Sequence, residues 1–238
     1  LLVTGVQTCA LPIWLQHPQT AQNVPNLLFQ KREFLLSRSG NSTSSFKNSS
    51  RVISMARTIE LADGVYRIAT DNYRLNTGLV LGLERALVVD TGAGPRQATE
   101  IYDEVRRLTR LPITVVNTHA HYERFFGNDV FAAMGVEDFW AHPRAARAIR
   151  KYGGAQRAYV ETLEPEMAHH QGAATDIVVP NRLVANSGDG ITFTPIDLGE
   201  RSATLMYMGP GHTDGDIMVG VEDVLIIGGH IEEGTDPY

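Results

Sequence analysis

Ile113-Thr114-Val115-Val116-Asn117-Thr118-His119-Ala120-His121-Tyr122-Glu123-Arg124 is the stretch on which the reading of this chain turns. Four β-branched residues in a row, Ile113 to Val116, read as a short buried strand. The chain leaves that strand at Asn117-Thr118 and at once offers two histidines at spacing i, i+2. Beyond a strand end, both imidazoles can be turned toward one point. Neutral imidazole nitrogens suit zinc, and a catalytic zinc takes three protein ligands plus one open position. A lone His-x-His pair is equally compatible with packing, so it needs company elsewhere in the chain.

Two other strand ends supply that company. Leu205 to Met208 runs into Gly209-Pro210-Gly211-His212-Thr213-Asp214-Gly215-Asp216, where glycines on both sides of His212 permit a tight backbone path. Thr213 and Asp216 are placed to orient ligands from behind. Ile226-Ile227-Gly228-Gly229-His230 ends a further apolar run on a histidine. Each loop taken singly could be a polar hairpin with an exposed histidine. Three strand ends that each present one point to a metal site.

Composition narrows the alternatives. A net charge of −6 argues against a partner that is a phosphate backbone, so no nucleic acid is expected. No stretch approaches the roughly 18 apolar residues of a membrane helix, so no membrane partner and a cytoplasmic location are expected. The single cysteine, Cys9, excludes a disulfide framework and any Cys-rich zinc site, which leaves histidines and carboxylates as metal donors. There is no Gly-x-Ser-x-Gly elbow to supply a serine nucleophile.

Around the histidines, the chain from Met55 onward alternates apolar runs with Gly, Pro and Asp. Val65–Ala69, Leu79–Leu83 and Ala86–Val89 read as successive antiparallel strands. Pro95 suits the first turn of a helix whose apolar face is Ile101, Val105 and Leu108. A short helix is expected over Asn128–Met134, a strand over Phe139–Ala141 and a helix from Pro143 to about Tyr152. Residues 154–176 read as polar and partly helical. Strands follow at Ile191–Pro195, Ala203–Met208, Ile217–Val219 and Val224–Ile227. Strands with inserted helices and no internal repeat imply one α/β domain over residues 55–238.

The ends read differently. Ser37 to Ser50 is rich in Ser and Asn with almost nothing to bury, and is expected to stay disordered. Residues 3–13, VTGVQTCALPI, resemble the translation of a sequencing-library adapter, so residues 1–54 read as a disordered or artefactual extension. A secretion signal is the rival reading, but the segment lacks a basic start and a sustained apolar stretch. Tyr238 follows a loop-like IEEGTDPY, and the chain reads as a fragment truncated at its C-terminus.

On these residues the chain resembles the metallo-β-lactamase superfamily. NTHAHYERFFGN is similar to that family's His-x-His-x-Asp-His loop, GPGHTDGD to its second histidine motif, and ALVVDTG to an early strand ending in a supporting Asp. The resemblance implies an αββα sandwich of two mixed sheets flanked by helices, with metal at one edge. It implies that His119, His121 and His212 hold the first metal, that Glu123 replaces an Asp that binds a second metal and aligns water, and that His230 takes a bridging position. Asp90, Thr213, Asp216 and Arg124 would support these from behind. Glu is one methylene longer than Asp, Arg124 cannot ligate, and His230 cannot bridge two metals as a carboxylate does, so the second site reads as degenerate. The implied activity is zinc-dependent hydrolysis of a small-molecule ester, thioester, lactone or amide by metal-activated hydroxide, with Glu123 orienting or deprotonating the water.

Two other readings stay open at this point. One is an Fe2+ centre that oxidises persulfides, since His and carboxylate donors accept iron. The other is a non-catalytic member that only binds metal or ligand. Composition and spacing leave the oligomeric state open. His142 reads as a strand-to-helix joint, Tyr122 as pocket lining or packing, His169-His170 as solvent-facing and Glu232-Glu233 as a solvated turn.

Overall fold

The computed structural model describes residues 56–70, 75–163, 169–170, 173–174, 176–185 and 190–227. The first sheet has seven strands in the order β1 (Arg57–Ala62), β2 (Val65–Ala69), β3 (Asn76–Leu81), β4 (Ala86–Val89), β5 (Ile113–Val116), β6 (Phe139–Ala141) and β9 (Arg182–Leu183). A two-stranded ribbon, β7 (His169–His170) with β8 (Ala173–Ala174), forms a sheet of its own. The second sheet has four: β10 (Thr192–Asp197), β11 (Ser202–Tyr207), β12 (Met218–Val221) and β13 (Val224–Ile227). The helices are α1 (Pro95–Leu108), α2 (Tyr122–Phe125), α3 (Asn128–Ala133) and α4 (Pro143–Leu163).

Side-chain alternation explains why the first sheet sits in the middle. Leu87 and Val89 of β4 point one way and join Val65, Val80, Val116, Ile196, Leu205, Val219 and Ile226 between the sheets. Ala86 and Val88 point the other way and join Ile68, Leu79, Val115, Ala98, Ile101, Val105 and Phe131 under α1 and α3. A strand covered on both faces needs no polar side, which is why β4 and β5 read as unbroken apolar or β-branched runs. Helix α1 keeps the expected face, with Ala98, Ile101 and Val105 buried. On the outer side of the second sheet Phe193, Leu225 and Ile227 face solvent.

The α/β class is as the sequence pattern implied and the two facing sheets are as the resemblance implied, with refinements. Only the first sheet is mixed: β1 to β4 pair antiparallel, then β4, β5, β6 and β9 pair parallel. The second is antiparallel throughout. Sequence periodicity did not mark β1, whose residues are mostly exposed at the sheet edge, nor the two-residue β9. Helix α4 runs past the expected end at Tyr152 to Leu163: Gly153 is a weak helix former, but it is there for close packing, since a Cβ would meet Ile177 Cγ2 at 2.8 Å. Among the described residues no helix is long and apolar enough to cross a membrane.

The parallel pairing places the site. Strands β4 and β5 run side by side with Val89 opposite Val116, so Asp90 and Asn117 leave the sheet together at its C-terminal edge. In open parallel sheets the crevice outside those strand ends is where ligands bind. Ile217 of the second sheet's loop donates its backbone N–H to the Thr118 carbonyl at 2.8 Å, which joins the two sheets at the same edge.

Candidate metal centre

His119 and His121 follow β5, and His212 lies in the loop after β11. The structure brings the three together: one ring nitrogen from each lies within 4.8 Å of the others. Ring centroids are 4.7–4.9 Å apart and every pair of ring planes is close to perpendicular, at 84–88°. His212 Nε2 lies 3.0 Å from His121 Nδ1. Two nitrogens on a tetrahedral zinc at about 2.0–2.1 Å would sit roughly 3.3 Å apart. Three convergent imidazole edges of this spacing match a divalent cation with one position left open. His119 and His121 are buried while His212 is exposed, so the cluster is reached from the His212 side.

The tautomer of His119 follows from its neighbours. Asp90 accepts the Thr118 backbone N–H at 2.7 Å on Oδ1 and the Thr118 hydroxyl at 2.8 Å on Oδ2. With its only hydrogen given to Asp90, the Thr118 hydroxyl can only accept from His119 Nδ1, 3.2 Å away. Nδ1 therefore carries the proton and Nε2 keeps the lone pair that a metal needs. Asp90 is held in the left-handed backbone region at φ 67°, which an Asp tolerates in a tight turn. Burial pushes its carboxyl up to about 6, against the pull of the Arg124 guanidinium and the two Thr118 bonds.

Glu123 and Arg124 occupy the one-turn helix α2 and are both wholly buried. Glu123 Oε1 is 3.9 Å from His119 Nε2 and 3.7 Å from Arg124 Nε. Arg124 Nη1 is 3.8 Å from Asp90 Oδ2. The guanidinium thus lies between two buried carboxylates. Among the described residues no other residue donates a hydrogen bond to either Glu123 carboxylate oxygen, and burial raises its pKa against the pull of Arg124 and of its own backbone N–H. A buried carboxylate that no other residue hydrogen-bonds, beside an imidazole cluster, is what a metal or its water would satisfy.

Some residues that shape this loop gave little sequence signal. Asn128 Nδ2 donates to Asn117 Oδ1 at 2.7 Å, while Asn128 Oδ1 accepts from Thr91 Oγ1 at 2.8 Å and from Asn117 Nδ2 at 3.1 Å. The Arg124 carbonyl accepts from Thr91 and from Asn117. Gln156 of α4 donates to the Ala120 carbonyl at 2.8 Å, between the two histidines. Gly127 packs so closely that a Cβ there would overlap the Thr91 carbonyl and stand 2.5 Å from Ala98 Cβ. Gly127→Ala is therefore expected to lower stability by about 1–3 kcal/mol through overpacking, read from urea denaturation.

Thr213 and Asp216 bond each other: Asp216 Oδ2 accepts the Thr213 N–H at 2.7 Å and Oδ1 accepts its hydroxyl at 2.8 Å, which shapes the His212 loop. His230 lies outside the described residues, as do Glu232 and Glu233. His142 is fully buried at the start of α4, and Tyr122 is buried and tilted against Phe126.

Comparison with known proteins agrees with this fold. A family model described as the metallo-beta-lactamase superfamily matches residues 73–224. The chain belongs to the metallo-beta-lactamase superfamily. It is 28% identical over 197 residues to the human protein named acyl-coenzyme A thioesterase MBLAC2, covering 74% of this chain and 66% of that protein. The bovine protein of the same name is 29% identical over 195 residues with the same coverage. The chain thus spans just under two thirds of the length of these relatives. Among solved structures, a metallo beta lactamase from Hirschia baltica aligns with TM-score 0.53 at 20% identity, covering 72% of this chain and 69% of that one. The metallo-beta-lactamase FIM-1 from Pseudomonas aeruginosa, in its mono-zinc form, aligns with TM-score 0.51 at 18% identity, covering 70% and 64%. At these identities the solved structures speak to the fold alone.

Proposed function

We propose that this chain carries the centre of a zinc-dependent hydrolase that cleaves the carbonyl bond of a small acyl substrate, with thioesters as the favoured class. The observation that carries the reading is the trio of mutually perpendicular imidazoles of His119, His121 and His212, with their ring nitrogens converged. These three would hold the metal. When bound, a zinc ion supplies an acidified water and a Lewis acid for the carbonyl oxygen. Thr118 and Asp90 hold His119 in the tautomer that donates from Nε2. Glu123, 3.9 Å from that nitrogen, is the carboxylate placed to accept a proton from the attacking water, and its burial raises its proton affinity for that task. Arg124 neutralises part of the negative charge of Glu123 and Asp90.

The similarity to the mammalian acyl-coenzyme A thioesterases supports thioesters over lactones or amides. Helix α4 adds a property of this chain itself. Residues 143–160 carry Arg144, Arg147, Arg150, Lys151 and Arg157 and no acidic residue, in a chain of net charge −6. Arg147, Arg150 and Lys151 are exposed, and the helix is tied to the metal loop through Gln156. Helical spacing sets these three on the side of α4 away from Gln156, so they would attract an acyl carrier that bears phosphates through the long-range field rather than by contact at the centre.

A substrate panel on the zinc-loaded protein tests this. Turnover of acyl-coenzyme A thioesters is expected, with KM rising several-fold as salt increases from about 0.05 to 0.5 M, because exposed charges are screened. An uncharged thioester should show no such rise. Hydrolysis of lactones or β-lactams without thioester turnover would overturn the substrate class. Stoichiometric iron with no hydrolysis of any kind would overturn the zinc-hydrolase reading.

A further inference from the structure

His212 poses a physical problem that the ligand trio leaves unsolved. It is exposed, and it lies between Gly209, at φ 102°, and Gly215, in a loop outside any helix or strand. Inside the loop the Thr213–Asp216 pair and the Gly211 N–H to Thr213 carbonyl bond at 2.8 Å fix the local shape. Neither of those fixes where the loop sits relative to His119 and His121. The Ile217 N–H to Thr118 carbonyl bond at 2.8 Å ties the loop's far end to the His119 segment, and the stretch that carries His212 needs a seat of its own.

The seat is formed by three residues at the joint between β6 and α4 and at the end of β11. The His142 ring stacks on the Tyr207 ring with centroids 3.9 Å apart and planes 17° from parallel. Tyr207 is the last residue of β11, directly before the loop, and is fully buried. Its hydroxyl accepts from Arg144 Nη1 at 3.2 Å and donates to the Asp214 carbonyl at 3.2 Å, two residues past His212. Beside it, Gly215 lies so close to α4 that a Cβ would stand 2.7 Å from the Ala145 nitrogen. One ring stack, two hydroxyl bonds and one close backbone approach therefore clamp both ends of the loop to α4.

The chemistry of His142 fits this role and not that of a ligand. Its Nδ1 accepts the Arg144 backbone N–H at 3.3 Å. Burial, with Arg144 adding to it, holds the ring's pKa below the usual histidine value, so it is neutral and carries its proton on Nε2. Neither nitrogen then has a lone pair to give a metal. The flat face on Tyr207 is what the fold uses.

We propose that His142 and Tyr207 are positioning residues that seat the His212 loop over His119 and His121, and so set the metal affinity of the centre. This rests on the metal-centre reading above and adds to it a determinant remote from the ligands. Residues that orient metal ligands without touching the metal commonly change affinity by about 10–100-fold. Effects of that size are expected here.

The test uses the full chain and zinc ions in competition with a chromogenic chelator, with folding checked by circular dichroism. His142→Ala, which removes the stack, is expected to weaken zinc binding by about 10–100-fold. His142→Phe, which keeps a flat ring on Tyr207, is expected to restore most of it. Tyr207→Phe deletes one oxygen and keeps the stack, and should weaken binding by about 10-fold. In the cobalt-substituted protein the visible spectrum of His142→Ala should shift toward that of His212→Ala. Folded His142→Ala and Tyr207→Phe proteins with wild-type zinc affinity and an unchanged cobalt spectrum would overturn the proposal. If His142→Ala does not fold, Tyr207→Phe alone decides. A wild-type protein that binds no zinc would overturn the metal-centre reading and this proposal with it, whereas zinc bound equally by wild type and variants would overturn only this proposal.

Discussion

Replacing His119 by alanine should abolish hydrolysis and weaken zinc binding by two decades or more, without unfolding the chain. The apparent binding energy of a four-ligand zinc site is about 10–16 kcal/mol, or roughly 3 kcal/mol for each ligand, which corresponds to about a hundredfold in affinity. His119 is buried at the end of β5, where its ring meets the other two imidazoles. The cavity left by the change opens onto the site, so the cost to stability should be small. Isothermal titration with zinc and the thermal midpoint of the metal-free protein measure the two quantities separately. A His119→Ala protein with unchanged zinc affinity would remove this residue from the centre.

The second large effect concerns Arg124, and it is an effect on stability. Its guanidinium is one of the largest fully buried side chains and stands 3.7–3.8 Å from Glu123 and Asp90. Arg124→Met keeps a similar length of apolar stem but leaves two buried carboxylates without their cation. Breaking a buried charge arrangement from one side costs about 3–5 kcal/mol, because the remaining charges cannot return to water. Urea denaturation of the chelated protein should show a loss of that size. Adding Glu123→Gln removes one of the two stranded charges, so the double variant should be more stable than the sum of the single losses implies. Strict additivity would show that Glu123 and Arg124 do not interact energetically.

The histidine loops were legible because their chemistry is written in single residues. Strands β4 and β5 are buried on both faces, so their bounds came straight from apolar runs, and the ends of those runs located Asp90 and His119. The centre's three imidazoles were found in the same way. What could not be read lies in contacts between distant segments. Gln156 reaches the Ala120 carbonyl across 36 residues, and nothing in the local text of α4 separates it from a surface glutamine. The Thr213–Asp216 bonds are local by contrast, and the text GHTDGD held both residues as candidates that shape the histidine loop. His142 read as a joint between β6 and α4, which it is. Its stack on Tyr207 spans 65 residues and depends on how the second sheet meets the helix.

The centre itself is tested most directly by X-ray absorption spectroscopy of the zinc-loaded protein. Three imidazoles in the first shell, with nitrogen distances of about 2.0–2.1 Å, are the expected result for His119, His121 and His212. A folded protein that retains no zinc, or a first shell with fewer than two imidazoles, would contradict it.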